Sequence, residues 1–182
     1  MIKRSAFNPV ANPRLARAPP SGADWLHEIK FDGFRLQAHK LGAEVRLFSK
    51  AGRDFTDRFP LIPAAVLRLE ANSAVIDGEL VSCDDADQPD FYALLRRQTK
   101  DLCVWCFDLL TLNERDLRPL PLEQRKAMLS ALLTKTDEPR LRLSHTLPTA
   151  RNCCMRRRNE ALRASLVRSA RNLTLQVPDA DG

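Results

Sequence analysis

The run from Trp25 to Arg35 sets Glu28, Lys30 and Arg35 around an Asp32-Gly33 pair. An Asp-Gly pair between two strand-like segments predicts a tight hairpin, because glycine accepts a positive φ without steric cost. Glu28 and Lys30 then share one face of the first strand. A lysine in such company is either a solvated ion or a nucleophile whose pKa is brought down by burial or a neighbouring cation. Asp77-Gly78-Glu79 interrupts an apolar run, with Ala74-Val75-Ile76 before it and Leu80-Val81 after it. Carboxylates placed there need a partner, a ribose hydroxyl or a metal. Phe107-Asp108 closes a second apolar run and offers an aromatic face to a base. Lys50-Ala51-Gly52-Arg53 puts two cations on a loop. Taken singly, each group has an ordinary reading: Lys30 as a surface ion, Glu79 as half of a structural ion pair, Phe107 as core.

Several chemistries are set aside. The six glycines form neither a GxGxxG fingerprint nor a P-loop, so a nucleotide site here is built without those phosphate cradles. His27, His39 and His145 lack metal-ligand spacing, and no Gly-x-Ser-x-Gly elbow is present. The five cysteines are Cys83, Cys103, Cys106, Cys153 and Cys154. An odd count with no export signal argues against a disulfide framework. Cys103 and Cys106 have CxxC spacing but lie in a β-like run, where they face opposite sides, so they read as buried free thiols. No metal-ligating residues are predicted.

The elements that position these groups follow from periodicity and turn residues. Residues 34–39 alternate as a strand, with Phe34, Leu36 and Ala38 on one side. Leu41-Gly42-Ala43 turns the chain into a strand over 44–49 with Val45 and Leu47 inward. Residues 61–69 predict a short helix, 74–82 a strand interrupted at Asp77-Gly78-Glu79, and 91–97 a helix with Phe91, Leu94 and Leu95 on one face. Residues 102–110 predict a buried strand, 121–133 a helix opened by proline, and 141–144 a short strand. Consecutive antiparallel strands are implied rather than βαβ units.

The chain has 182 residues and 44% hydrophobic content, which suits one domain with a real core. Residues 1–23 are a proline-rich, extended lead-in, 24–148 form the body, and 149–182 are an arginine-rich tail. Of the net charge of +6, residues 151–182 supply +4, with seven arginines, three acids and no lysine. The tail is expected to lack structure or to be read out of frame, with a helix over 161–170 as its one candidate element. No apolar run reaches the length of a transmembrane helix, and the N-terminus lacks the apolar core of a signal peptide, so a cytoplasmic protein is expected.

Together the stretches resemble the covalent nucleotidyltransferases. Glu28-x-Lys30-x-Asp32-Gly33-x-Arg35 resembles motif I, and Val75-Ile76-Asp77-Gly78-Glu79-Leu80 resembles motif III. Between them, Ser49-Lys50-x-Gly52-x-Asp54-x-Thr56 and Arg58-Phe59-Pro60 look like the family's next element. Pro89-Asp90-Phe91 and Leu94 fit the following stretch. Phe107-Asp108-Leu109-Leu110, Arg115-Asp116-Leu117 and Pro121-Leu122-x-x-Arg125 look like motif IIIa and its helix. Order and spacing are most similar to the bacterial ATP-dependent DNA ligases, in particular the ligase module of end-joining enzymes.

The resemblance implies an α+β fold, the N-terminal part of an adenylation domain with antiparallel sheets and flanking helices. It implies Lys30 as the nucleophile that attacks the ATP α-phosphate with Mg2+ (or Mn2+), Glu28 near the adenine, Arg35 and Glu79 on the ribose, Phe107 stacked on the adenine and Lys50 on a phosphate. Lys50 stands where the family usually has arginine, so the charge is kept and the bidentate fork is lost. The implied partner is nicked double-stranded DNA, met by a monomer. The family's motif IV carboxylate, its motif V Lys-x-Lys pair and an OB-fold domain are not found after Pro148, which points to a truncated or frame-shifted chain. The rival readings are a non-catalytic remnant that binds nucleotide or nucleic acid, and an RNA ligase or capping-type nucleotidyltransferase.

Overall fold

A computed structural model describes residues 7, 9, 14–15, 25–82, 90–96, 101–147, 164–169 and 174–178. The chain divides into two compact units, Met1–Pro9 with Gly33–Leu143, and Val10–Asp32 with Ser144–Gly182.

In the first unit, β3 (Phe34–Leu41) and β4 (Glu44–Ser49) form an antiparallel hairpin. Its two-residue loop places Gly42 at φ +57°, which glycine adopts freely. β5 (Ser73–Ser82) pairs antiparallel with β3 on one side and with β6 (Leu102–Leu112) on the other. The sheet order is β4-β3-β5-β6-β7, with β7 at Arg115–Asp116. β8 (Leu141–Leu143) runs parallel to β6. Helices α1 (Leu61–Leu67), α2 (Phe91–Leu95) and α3 (Leu122–Thr136) complete the unit.

Strand alternation sorts this sheet into two faces. Leu36, Ala38, Leu47, Ile76, Leu80, Val104, Cys106 and Leu109 enter one buried cluster with Ile62 and Val66 of α1 and Leu129 and Leu132 of α3. The residues between them, Arg35 and Gln37, Asp77 and Glu79, Trp105 and Phe107, fall on the opposite face. The apolar face is therefore what fixes the height and spacing of the chemical groups. Both sides of β3 are covered: Gln37, His39 and Lys40 are buried along with the core residues. Lys40 holds its charge indoors by donating to the carbonyls of Leu67 (2.7 Å) and Leu69 (2.6 Å), which close the end of α1. Burial lowers its pKa from the ordinary lysine value.

The second unit holds a sheet of order β1-β11-β10-β2-β9. Its strands are β1 (Arg14–Leu15), β2 (Trp25–Ile29), β9 (Thr146–Leu147), β10 (Ala164–Ser169) and β11 (Thr174–Pro178).

The expected α+β class holds, and four local expectations change. The Asp32-Gly33 pair makes no hairpin: β2 pairs with β10 and β9, whereas β3 pairs with β4 and β5. Gly33 is not at a positive φ. Its backbone runs so close to β5 that an added Cβ would overlap the Leu80 carbonyl oxygen. Glycine is required here for lack of room, not for a turn. Gly33→Ala is expected to lower unfolding stability by about 1–3 kcal/mol, read as a shift in urea midpoint, since the obstacle is backbone. β5 continues through Asp77-Gly78-Glu79, and the irregularity is a register shift against β6. Leu95 of α2 is exposed, and Ala93 and Leu94 carry the contact instead. Residues 164–169 form a strand, not part of a helix, because they pair with β2 and β11. Most of the lead-in and of the tail, with Cys83, Cys153 and Cys154, lies outside the described residues. Cys103 and Cys106 are both buried and neither is in a disulfide, as their run implies.

Candidate functional site

The polar face of the first unit brings together Arg35, Asp77, Glu79 and Phe107. Register places Arg35 directly across from Glu79, and Glu79 across from Trp105. Arg35 donates to Asp77 through both arms of its fork, Nε to Oδ1 at 3.1 Å and Nη2 to Oδ2 at 2.7 Å. Its Cζ lies 5.3 Å from the centroid of the Phe107 ring, which is 5% exposed. Burial opposes the Arg35 charge, but hydrogen bonds and charge from Asp77, with Glu79 and Asp108 beyond, prevail and raise its pKa. The guanidinium is thus oriented by one carboxylate, faced by a second and stacked on a ring. Such a group presents fixed donors to hydroxyls or phosphates, and its charge does not titrate.

Lys50 follows the end of β4, and its backbone N–H donates to the Arg35 carbonyl at 3.1 Å. Its side chain is exposed. The loop that carries it is closed by Asp54, which takes Arg46 Nη2 at 2.6 Å and Thr56 N–H at 2.9 Å. The Thr56 hydroxyl, then its amide and Arg46, hold the Asp54 pKa down at about 2. The sign follows from linkage. A folded pKa below the unfolded value of about 3.9 adds stability above that pH, and the gain disappears as pH falls toward 2. Asp54→Asn is therefore expected to flatten the acid limb of stability between about pH 4 and pH 2, measured as urea midpoint against pH. The effect is small, because Asp54 and Arg46 are each 42% exposed.

Glu28 and Lys30 belong to the second unit. Glu28 is buried in β2, opposite Leu166 of β10 and Thr146 of β9. Lys30 stands one residue beyond the last strand residue, Ile29, and is half-buried. His27, next to Glu28 in β2, is buried, and that burial lowers its pKa.

Sequence reasoning named Asp77 only as a carboxylate in need of a partner; the structure supplies Arg35. The signal was there, since positions 77 and 79 share a strand face. It quoted Asp108 and Arg125 only as parts of a motif and missed that they pair with each other, at 2.8 and 2.9 Å, and it passed over Lys126, whose Nζ reaches the Phe107 carbonyl at 3.4 Å. It also passed over Trp105, on whose ring Arg142 of β8 stacks at 5.6 Å. Those pairings depend on how α3 and β8 lie against β6, which no local pattern announces.

The model of the "ATP dependent DNA ligase domain" family matches residues 14–153. The chain belongs to that family. It is 39% identical over 137 residues to the multifunctional non-homologous end joining protein LigD of Pseudomonas aeruginosa, covering 73% of this chain and 16% of that protein. It is 34% identical over 167 residues to a DNA ligase of Methanococcus aeolicus, covering 81% of this chain and 29% of that one. Among solved structures, the ligase domain from M. tuberculosis LigD superposes with a TM-score of 0.76 at 25% identity, over 93% of this chain and 60% of that one. A mycobacterial DNA ligase D complexed with ATP and MES shares the fold, with a TM-score of 0.73 at 23% identity. The chain therefore spans less than a third of these two curated relatives. Among the described residues of this ligase-family chain, no helix is long and apolar enough to cross a membrane.

Proposed function

We propose that this chain carries the lysine-adenylating part of an ATP-dependent DNA ligase that seals nicks in double-stranded DNA. The observation that carries the reading is the family match across residues 14–153, which includes the Lys30 stretch and the Arg35, Asp77, Glu79 and Phe107 face. The Lys30 amine attacks the ATP α-phosphorus. A P–N bond forms, the bond to the bridging oxygen breaks, pyrophosphate leaves, and the amine proton passes to solvent. An oxygen of the DNA 5′-phosphate then attacks the AMP phosphorus, the P–N bond breaks and the Lys30 amine takes back a proton; a 3′-hydroxyl finally attacks the DNA 5′-phosphorus and AMP leaves. Arg35 and Glu79 are assigned to the ribose, Phe107 and Glu28 to the adenine, and Lys50 to a phosphate.

The geometry of Arg35 supports its share of this assignment. Asp77 takes the guanidinium from one side, which leaves its direction set before any ligand arrives and reduces the ordering cost of binding. Among the described residues no three carboxylate, imidazole or thiol groups stand close enough to hold an ion. Mg2+ (or Mn2+) is assigned to the phosphates of the nucleotide. A cytoplasmic monomer suits the reading.

A second reading, a remnant that binds nucleotide or nucleic acid without catalysis, is favoured by the basic stretch 151–182, whose seven arginines and three acids give +4. Incubating the chain with α-labelled ATP and Mg2+ separates the two. Label that survives denaturing electrophoresis supports adenylation. Its absence at saturating ATP and high protein supports the remnant.

A further inference from the structure

Arg58 lies outside every role assigned so far. Its guanidinium sits against three phenylalanine rings at once, with Cζ 5.1 Å from Phe34, 5.1 Å from Phe55 and 5.0 Å from Phe59. The rings are themselves locked together. Phe55 and Phe59 meet edge to face at 5.7 Å, and Phe34 meets Phe55 at 6.1 Å and Phe91 of α2 at 6.0 Å. The Arg58 backbone N–H donates to the Phe55 carbonyl at 3.1 Å, a turn that folds the side chain back over the cluster. Phe59 is fully buried, whereas Arg58 is exposed. An exposed arginine is ordinarily a mobile chain. This one is packed against three rings and its guanidinium makes no hydrogen bond among the described residues, which leaves its N–H donors for something else.

No carboxylate among the described residues forms an ion pair with it. Asp54 is taken by Arg46 and Thr56, and Arg68 rather than Arg58 pairs with Glu138. Lys50 and Arg53 are exposed cations in the same loop segment, with Asp57 the one further acid there. A stacked guanidinium with free edge donors, in a cation-rich loop, is suited to a phosphodiester oxygen pair, which it grips bidentately.

We infer that Arg58, held rigid by Phe34, Phe55 and Phe59, is a backbone-phosphate contact for duplex DNA. This rests on the ligase reading for its partner and deepens it by naming a contact residue. The test measures anisotropy of a labelled nicked duplex with the full 182-residue chain, across a salt series, for wild type, Arg58→Met and Arg58→Lys. Methionine keeps an apolar chain over the rings and removes the charge. Its affinity is expected to fall about tenfold, and the slope of log K against log salt to shrink by about one. Lysine retains the charge and loses the fork, so its affinity falls between the other two. Thermal melting of each variant reports whether the fold survives.

Equal DNA affinity and equal salt slope in wild type and both variants overturn the proposal and leave Arg58 as a lid on the aromatic cluster. Failure of wild type to bind the duplex at about 50 mM salt overturns it as well. Covalent labelling from α-labelled ATP is followed in parallel. A loss of label as large as the loss of DNA affinity places Arg58 on nucleotide phosphates and also overturns it. Absence of label on wild type alone counts against the adenylation reading and leaves the DNA result standing.

Discussion

Lys30→Arg is expected to give no covalent adenylate where wild type gives one. The substitution separates charge from nucleophilicity. Lysine gives up a proton and presents a lone pair, whereas the arginine guanidinium stays protonated, with its electrons delocalised over three nitrogens. An electrostatic role for Lys30 would leave the arginine variant nearly as active. A covalent role removes the step altogether, and loss of a nucleophile costs up to about 10⁶ in rate. Lys30 is half-buried just after β2, so the longer side chain has solvent to extend into. Binding of a fluorescent ATP analogue is expected to stay within a few-fold of wild type, which distinguishes a lost attack from a lost site. Labelling of the arginine variant at the wild-type level would remove Lys30 from the mechanism.

The largest stability effect is expected at Asp108. Arg125 of α3 donates Nε to Oδ1 at 2.8 Å and Nη2 to Oδ2 at 2.9 Å, and the two side chains are 3% and 9% exposed. Its remaining arm, Nη1, reaches the Leu120 carbonyl at 2.6 Å. Asp108→Ala strands a guanidinium away from water, which costs about 3–5 kcal/mol. For a chain of this size that corresponds to a fall in Tm of roughly 6–20 °C, read by calorimetry. The double variant Asp108→Leu with Arg125→Met is expected to regain most of the loss, because it removes both charges and fills the space with apolar atoms. If the double variant melts as low as the single one, the harm lies in packing and not in the uncompensated charge. The pair has a functional consequence as well. It fastens α3 to β6 immediately beside Phe107, whose carbonyl also takes Lys126. Loosening it is expected to raise KM for ATP in the labelling assay along with the melting change.

Much of the first unit was legible from the chain. Gly42-Ala43 between two alternating runs specified the β3–β4 hairpin, since loop length and a positive-φ residue are local requirements. The buried β6 run and the helix after Pro121 were legible because their signals are continuous apolar residues and a proline at the helix entry. The helix ends three residues later than expected, at Thr136, where Asp137 takes φ +46° as its cap. The residue types that carry chemistry, and the family to which their order belongs, were likewise present in the linear text.

At Lys30 to Arg35, by contrast, the local cue misled. Asp32-Gly33 has the composition of a hairpin turn, but a turn residue does not choose a strand's partner. β2 finds its partners at 146–147 and 164–169, and β3 finds one at 73–80, so long-range pairing overrode the local signal. The same distance in sequence hid the partners of the charged groups. Arg35 and Asp77 are 42 positions apart, Arg125 and Asp108 are 17, and Lys40 and the Leu67 carbonyl are 27. Sequence alone determined which side chains were available and, within β3, β5 and β6, which of them share a face, because side-chain identity and period-two alternation are local properties. Tertiary structure alone decided that Gly33 is needed for space, that Asp77 aims Arg35, and that three rings immobilise Arg58. Each of those depends on strands and loops far apart in the chain being packed against one another, which only burial of the shared apolar face brings about.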